Sequence, residues 1–142
     1  MLRRLLPRRL LGLLMLGVVL LPMACSGRTK VYRVTGRVLF QGRPAAGAVV
    51  QFHPEDASDK NLLVPQGQVG PDGSFKLTTY RHDDGAPAGH YAVSVFWAVP
   101  SKGGDNFDKI LVPERYLNPA TSGLSAEVPA RAIDLPPFQL SK

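Results

Sequence analysis

The side chains able to serve as acids, bases or nucleophiles are few and scattered along the chain. There are three histidines, His53, His82 and His90, and each falls in a predicted loop or near a predicted strand end. A Ser-His-Asp set can be written from Ser58, His53 and Asp56, but many chains offer such a set by chance. The sequence has neither a Gly-x-Ser-x-Gly elbow nor a phosphate-cradling glycine loop. We therefore assign no catalytic residue and expect a protein that is not an enzyme.

Two acidic stretches offer oxygen atoms of the kind that calcium binds. They are Asp83-Asp84 and the segment Asp105–Asp108, and neither matches an Asp-x-Asp-x-Asp-Gly loop. The second is flanked by Lys102 and Lys109. Acidic residues at turns commonly accept hydrogen bonds from their own backbone, so we predict no metal site and no cofactor. A small hydrolase or metal-dependent enzyme built on these loops is the alternative.

The only cysteine, Cys25, follows a segment that is typical of export signals. Met1–Arg9 contains four arginines and no acid, and Leu10–Leu21 is apolar throughout. A positive segment followed by an apolar one is the layout of a signal peptide. The apolar run is shorter than the roughly 20 residues that a spanning helix needs, so we expect it to be helical and to be removed after export.

Around the cysteine, Leu21-Pro22-Met23-Ala24-Cys25 resembles a bacterial lipobox, with Pro22 where the box usually has leucine. The resemblance implies cleavage after Ala24 and acylation of Cys25 with chains such as palmitate. Two acyl chains anchor a protein stably where one is marginal. Secretion with a free thiol is the alternative. We predict a signal peptide over 1–24, a lipidated N-terminus and tether over 25–30, and a folded domain over 31–142.

Removal of the signal changes the charge of the protein. The whole chain carries 17 basic and 11 acidic residues, a formal charge of +6. Four of the basic residues belong to the signal, so 13 basic and 11 acidic residues remain, a charge of +2. The remaining basic residues form no run and are not interleaved with aromatic ones, which argues against a nucleic-acid partner. Because no cysteine follows Cys25, the folded domain holds together without disulfides.

Prolines and glycines recur throughout the mature chain, which leaves no room for long helices. Between them lie short runs rich in aromatic and β-branched residues, many with period-two alternation, as expected for strands. The predicted strands are Tyr32–Phe40, Ala48–Phe52, Gln68–Val69, Ser74–Tyr80, Tyr91–Ala98, Leu124–Val128 and Ile133–Leu140.

Two connections, residues 54–66 and 100–123, are longer than hairpin turns require, and Pro100–Asp108 is predicted to be a loop. Connections of this length are often functional. Their apolar residues either form a contact surface or tuck under the sandwich as a satellite cluster, and we favour the latter. These residues are Leu62, Leu63, Val64, Tyr116 and Leu117.

Several of these segments together suggest a family. Val34–Val38 and Gln41–Phe52 resemble the opening strand, turn and second strand of a carboxypeptidase regulatory-like domain. Gly70–Leu77 is similar to the Asp-Gly hairpin that follows in that family, and Pro87–Val95 to its next strand. The resemblance covers about Tyr32–Trp97 in the family order. It implies a seven-stranded Greek-key β-sandwich of the transthyretin-like (prealbumin-like) or immunoglobulin-like kind, preceded by the helical signal peptide.

The segments after Trp97 extend the resemblance. Pro113–Tyr116 and Thr121–Leu124 are similar to the tail of small bacterial lipoproteins that carry this domain. Some transthyretin-like proteins hydrolyse 5-hydroxyisourate with a C-terminal Tyr-Arg-Gly-Ser, but this chain ends Phe138–Lys142, so that activity is not expected.

These observations predict an exported lipoprotein held on the periplasmic or outer face of the cell envelope. Its domain would be a non-enzymatic binding or structural module. The expected partners are the membrane, through the lipid anchor, and an envelope protein or glycan. A carbohydrate-binding module is a further alternative, with Trp97 or Tyr80 as the stacking platform.

Overall fold

The computed structural model describes residues 27–56, 63–104 and 106–142. The predicted signal helix and Cys25 lie outside these ranges. Within them, no helix is long and apolar enough to span a bilayer. One short 3-10 helix, η1, covers Glu114–Leu117, and the other regular elements are strands. The thirteen strands of the described residues are β1 Val31–Tyr32, β2 Val34–Phe40, β3 Arg43–Pro44, β4 Val49–Pro54, β5 Gln66–Gln68, β6 Ser74–Lys76, β7 Ala86–Pro87, β8 Gly89–Phe96, β9 Ala98–Pro100, β10 Phe107–Ile110, β11 Leu124–Val128, β12 Ile133–Asp134 and β13 Phe138–Leu140.

A four-stranded antiparallel sheet has the strand order β11-β8-β4-β5. Its longest strand is β8, in which Tyr91, Val93 and Val95 are buried on one face. The period-two alternation of side chains in a strand places them all toward the core. The alternation predicted for this strand is therefore confirmed, and β11 has the bounds predicted from the sequence.

A second sheet is organised around β2. This strand pairs in parallel with β12 and β13, and antiparallel with β3 and β6. Gly36 lies in the middle of β2 under the ring of Phe75, where an added Cβ would come within 2.7 Å of the ring. The missing side chain lets the aromatic ring pack directly on the backbone, so the glycine in this predicted strand has a packing role.

The core lies between the two sheets and is built on aromatic rings. Phe52 of the four-stranded sheet contacts Phe75, Tyr91 and Phe138, with centroids 6.2, 5.7 and 6.1 Å away. Phe75 and Phe138 both belong to the β2 sheet, so these contacts join the sheets face to face. The predicted all-β sandwich is confirmed.

Tyr91 is the largest of the fully buried side chains. Its ring lies in the core, and its hydroxyl donates to the Pro87 carbonyl at 2.7 Å. Burial raises the pKa of the Tyr91 hydroxyl to about 12. The paired hydroxyl removes the cost of a buried polar group with no partner.

The described residues contain thirteen strands where seven were predicted, partly because predicted strands are divided. The predicted first strand is divided into β1 and β2, with Arg33 between them. The predicted closing strand is divided into β12 and β13 by Pro136-Pro137, because proline cannot donate to a sheet ladder.

The prediction that Pro100–Asp108 is a loop is wrong at both of its ends. Ala98–Pro100 and Phe107–Ile110 pair as an antiparallel hairpin, with a bulge between Phe107 and Lys109. The turn that joins them contains Gly103-Gly104. Ser101 N–H donates to the Asn106 carbonyl at 2.9 Å, which leaves a short glycine-containing turn of the kind that joins hairpin strands, and flanking apolar residues favour strands.

The sandwich has two distinct ends. At the proximal end, β1 pairs with β7, β8 begins, and residues 78–85 form a loop. At the distal end, β2 and β8 finish and the β9–β10 hairpin continues outward from β8. Cys25, the predicted anchor, lies six residues before Val31, so the chain enters the domain at the proximal end.

Candidate functional site

The three histidines do not form one site. His53 and His90 lie on the outer face of the four-stranded sheet, since they belong to the rows that alternate with the buried Phe52 and Tyr91. His90 is the cross-strand partner of Glu127. His82 belongs to the 78–85 loop, where its Nδ1 lies 3.3 Å from Asp83 Oδ2.

His53 makes a contact that the sequence did not predict. Its Nε2 lies 2.9 Å from Ser94 Oγ, a distance suited to a base and a nucleophile. Burial lowers the pKa of His53, which keeps the ring neutral near pH 7. Ser94 is only 4 % exposed, however, and the described residues supply no carboxylate hydrogen bond to His53. Of the set written from the sequence, Ser58 lies outside the described residues.

The acidic loop residues are held within the domain. Asp84 accepts hydrogen bonds from the backbone N–H groups of Thr79, Tyr80 and Arg81, at 2.8, 3.0 and 2.8 Å. Burial by itself raises the pKa of Asp84, but these three donors stabilise the carboxylate and the net effect lowers the pKa. Asp83 faces Lys76 Nζ at 3.6 Å.

No group of three His, Cys, Asp or Glu side chains among the described residues is arranged to hold a metal ion. Asp105, one of the predicted acidic ligands, lies outside those residues. The oxygens of Asp84 serve the loop backbone, as expected for acidic residues at turns.

The two aromatic residues considered as sugar platforms differ in their surroundings. The ring of Tyr80 has the guanidinium of Arg28 over it, 5.6 Å from the centroid. Trp97 packs edge-to-face on Phe40 at 6.0 Å and donates from Nε1 to the Ala46 carbonyl at 2.9 Å. Trp97 is nevertheless only partly buried and borders a groove at the distal end.

This distal groove has a volume of about 470 Å³. Its wall is largely apolar, and two lysines provide its positive charge. The lining residues are Phe40, Trp97, Lys109, Leu111, Val112, Pro113 and Lys142. Arg115 fixes the last residues of the chain beside this groove, because its Nη2 donates to the Ser141 and Lys142 carbonyls at 2.8 and 3.1 Å.

The β9–β10 hairpin continues from this groove and exposes apolar side chains. Phe107 is 58 % exposed, Ile110 47 % and Val99 42 %. The register pairs Phe107 with Pro100 and Ile110 with Ala98, and directly paired residues point to the same face of a sheet. Phe96 extends this apolar face, since its ring contacts Phe107 at 4.9 Å. The hairpin and the distal groove together form what we call the distal surface.

The two long connections contribute unequally to this surface. Tyr116 is buried and Leu117 packs on the core, as predicted for a satellite cluster. Leu63 and Val64 are instead 54 % and 42 % exposed, so that prediction is wrong for them; Leu62 lies outside the described residues. Sequence reasoning missed Phe107 and Ile110, although their position after Gly103-Gly104 is a recognisable hairpin signal.

A larger groove, of about 700 Å³, lies between β5 and β6. It is bordered by Gln66, Gln68, Lys76 and Asp83, and its two charged residues already face each other. Gly67 forms part of its floor, where an added Cβ would lie 2.6 Å from the Lys76 carbonyl oxygen. The one phenyl ring that lines this groove, Phe75, is buried, whereas the distal hairpin exposes Phe107 and Ile110, so the distal surface is the stronger candidate for binding.

Comparisons of the chain with protein-family models, with curated proteins and with solved structures gave no match. The resemblance to carboxypeptidase regulatory-like domains therefore stays a prediction.

Proposed function

We propose that this protein is an exported lipoprotein, anchored through Cys25, whose β-sandwich is a non-enzymatic binding module of the cell envelope. The anchor is supported by the arginine-rich and apolar leader and by the lipobox-like segment that ends in the only cysteine. Binding rests on the distal surface, which lies at the end of the sandwich opposite the chain entry.

The single observation that carries a binding role is the exposure of Phe107 and Ile110 on one face of the hairpin, next to the Phe96 ring. Isolated exposed apolar residues are ordinary, but a contiguous apolar area on a surface commonly marks an interaction site. An anchor at the proximal end and a binding surface at the distal end would direct that surface away from the membrane. The expected partner is an envelope protein, which is the class that buries aromatic and aliphatic anchors of this kind.

The experiment is a comparison of two double variants of the full chain. Phe107→Ser with Ile110→Ser removes the apolar face of the hairpin, and Leu63→Ser with Val64→Ser removes similarly exposed side chains at the other end. Crosslinking in intact cells followed by purification of the protein tests each variant. We expect the hairpin variant to lose a crosslinked partner that the second variant retains; equal retention by both would contradict a distal binding surface.

Carbohydrate binding is a second candidate, favoured by Trp97 at the distal groove. Aromatic rings offer flat apolar faces, and the indole N–H is already paired with Ala46. Titration of the protein with envelope glycans, followed by Trp97 fluorescence, tests this candidate. A shift in emission that disappears in a Trp97→Phe variant supports it, whereas emission insensitive to glycans removes it.

The hydrolase alternative is tested on the histidines. A triple variant with His53, His82 and His90 changed to Gln separates catalysis from binding. We expect the cellular phenotype of the wild-type protein to persist in this variant, and loss of function in a correctly folded triple variant would support an enzyme.

We also propose kinship with the carboxypeptidase regulatory-like domain. The segments that resemble it follow one another along the chain. The first lies on β2, the second covers β3 and most of β4, the third covers the turn before β6 and β6 itself, and the fourth lies mainly on β8. An experimental structure whose strand connections differ from the transthyretin-like order would overturn this assignment.

A further inference from the structure

We propose that the proximal end of the domain rests on the bilayer, with Leu63 and Val64 entering the boundary between headgroups and acyl chains. Tyr32 and Tyr80 would lie at headgroup level beside them. This contact presupposes the lipid anchor of the proposed function but is a separate property of the folded domain.

The short tether limits the distance between the proximal end and the membrane. Val31 is six positions after Cys25, and a fully extended chain spans at most about 3.6 Å per residue, so the reach is roughly 20 Å. Val31 is itself fixed, because β1 pairs with β7 through Val31–Pro87. The domain therefore cannot turn its proximal end far from the bilayer once Cys25 is acylated.

The tether also follows the domain surface instead of extending away from it. The guanidinium of Arg28 lies 5.6 Å from the Tyr80 ring centroid, and Lys30 Nζ lies 5.2 Å from that of Tyr32. These cation–π contacts hold the chain along the proximal end. The effective reach is shorter than that of an extended chain, which brings the protein surface still closer to the lipid.

Exposed apolar side chains lie at this end. Leu63 is 54 % and Val64 42 % exposed. They are positioned by the neighbouring strand, because Phe52 N–H donates to the Pro65 carbonyl at 2.8 Å and thereby places residues 63–65 beside the proximal half of β4. Among the described residues, the other large exposed apolar side chains belong to the distal hairpin.

The polar groups at the proximal end also suit a lipid interface. Tyrosines concentrate at membrane–water interfaces, and the long side chains of arginine and lysine can extend toward lipid phosphates. The carboxylate of Asp84 is already bonded by three backbone N–H groups. Glu55 and Asp56 follow β4 at the same end, so the contact depends on apolar and aromatic side chains and not on a uniform positive charge.

The test measures lipid contact at two matched valines. Val64 and Val99 are both 42 % exposed, and they lie at opposite ends of the domain. The full chain is exported by a bacterial host as Val64→Cys or as Val99→Cys, so that the new cysteine is the only free thiol when Cys25 is acylated. Each protein is purified from membranes, labelled with an environment-sensitive fluorophore and reconstituted into vesicles of phosphatidylethanolamine and phosphatidylglycerol. A fraction of the vesicles contains a lipid with a nitroxide near the top of its acyl chain.

We expect a blue-shifted emission and severalfold stronger nitroxide quenching at position 64 than at position 99. Equal quenching at the two positions, with acylated Cys25 verified by mass spectrometry, overturns the bilayer contact and leaves the proposed function intact. A chain that is found without acyl groups on Cys25 overturns the anchor, and the bilayer contact with it. A blue shift at position 64 that grows with protein density and is not quenched by nitroxide identifies a second copy of the chain as the occupant, which also overturns the proposal.

Discussion

The proximal and distal ends of this sandwich both expose apolar side chains, but they are built differently. The proximal loop, residues 78–85, is braced internally by the Asp84 carboxylate and by Thr79, whose hydroxyl donates to the Gly85 carbonyl at 2.6 Å, and Gly85 N–H donates to the Leu77 carbonyl at 2.8 Å. The distal hairpin pairs only with itself as a two-stranded sheet. Two-stranded hairpins are marginally stable alone in water, so the distal end is the part of the domain best able to adapt to a partner.

The largest expected effect comes from two glycines with positive φ, one at each end. Gly85 has φ +102°, and a Cβ there would collide with the Tyr32 carbonyl oxygen; Gly104 has φ +92° and no neighbour within 4 Å. Gly85→Ala therefore combines backbone strain with a steric clash and should cost about 3 kcal/mol or more of unfolding free energy. Gly104→Ala should cost only about 1 kcal/mol, from the left-handed conformation. Urea unfolding of both variants measures the difference, and similar losses would mean that the proximal loop is not packed as described.

A second comparison uses an aspartate at each end. Asp84 accepts three backbone hydrogen bonds, whereas Asp72, in the turn before β6, accepts from the backbone N–H and hydroxyl of Ser74. Asp84→Asn should lower the unfolding free energy by about 1–2 kcal/mol near pH 7. Asp72→Asn is the matched distal variant, and we expect a smaller loss because that turn is exposed. A larger loss for Asp72→Asn would reverse the ranking of the two ends.

The same aspartates predict how acid affects the fold. The pKa of each is lowered in the folded protein, for Asp84 because the backbone donors outweigh burial and for Asp72 chiefly because of hydrogen bonds from Ser74. A carboxyl group with a lowered folded pKa stabilises the protein above its unfolded value, here 3.8, and that contribution is lost as the pH falls through the folded pKa. The unfolding free energy of the Asp84→Asn variant should therefore fall less steeply with decreasing pH in the acid range than that of the wild-type protein. An unchanged acid transition would show that Asp84 titrates alike in both states.

The lowered pKa of His53 predicts a further pH dependence of stability. His53 lies on the four-stranded sheet, which runs between the two ends. Burial lowers its pKa below 6.5, so the unfolded state binds the proton more tightly than the folded state. The contribution of His53 to the unfolding free energy is therefore constant above pH 6.5. It becomes less favourable as the pH drops from 6.5 to the folded pKa, and it changes no further below that pKa. His53→Gln should remove this part of the pH dependence of the urea midpoint. Ser94→Ala should retain the pH dependence, while costing about 1 kcal/mol for the lost hydrogen bond.

Much of the sandwich could be predicted because its strands carry their own pattern. The alternation of Tyr91, Val93 and Val95 fixes which face of β8 is buried, and Leu124–Val128 is an alternating strand bounded by breakers. Such features depend on neighbouring residues only. The division of the terminal strand follows from Pro136-Pro137, but its parallel pairing with β2 depends on residues about one hundred positions away and cannot be seen locally.

The candidate sites were harder to predict because they depend on contacts between distant segments. His53 and Ser94 are 41 residues apart, and only the register of β4 against β8 brings them together. The exposure of Leu63 and Val64 likewise depends on how residues 63–65 dock on β4. The hairpin is the exception, because its signal is local: Gly103-Gly104 lies between two apolar segments. The whole segment Pro100–Asp108 was predicted to be one long loop, so the two short strands on either side of the glycines were missed.

The smallest expected effect on global stability, and the most local, concerns the hairpin itself. Phe107→Ala removes the edge-to-face contact with Phe96, which is worth about 1 kcal/mol beyond surface burial. Because Phe107 is 58 % exposed, the free energy of global unfolding should change by no more than about 0.5 kcal/mol. Hydrogen exchange should instead show faster exchange of the β9 and β10 amides, by roughly fivefold for a loss of about 1 kcal/mol. Amides of β8 between Tyr91 and Val95 serve as the internal control and should be unaffected. If those amides accelerate together with the hairpin, the hairpin opens with the sandwich as one unit, and the distal end is not the independent, adaptable element that its two-stranded pairing indicates.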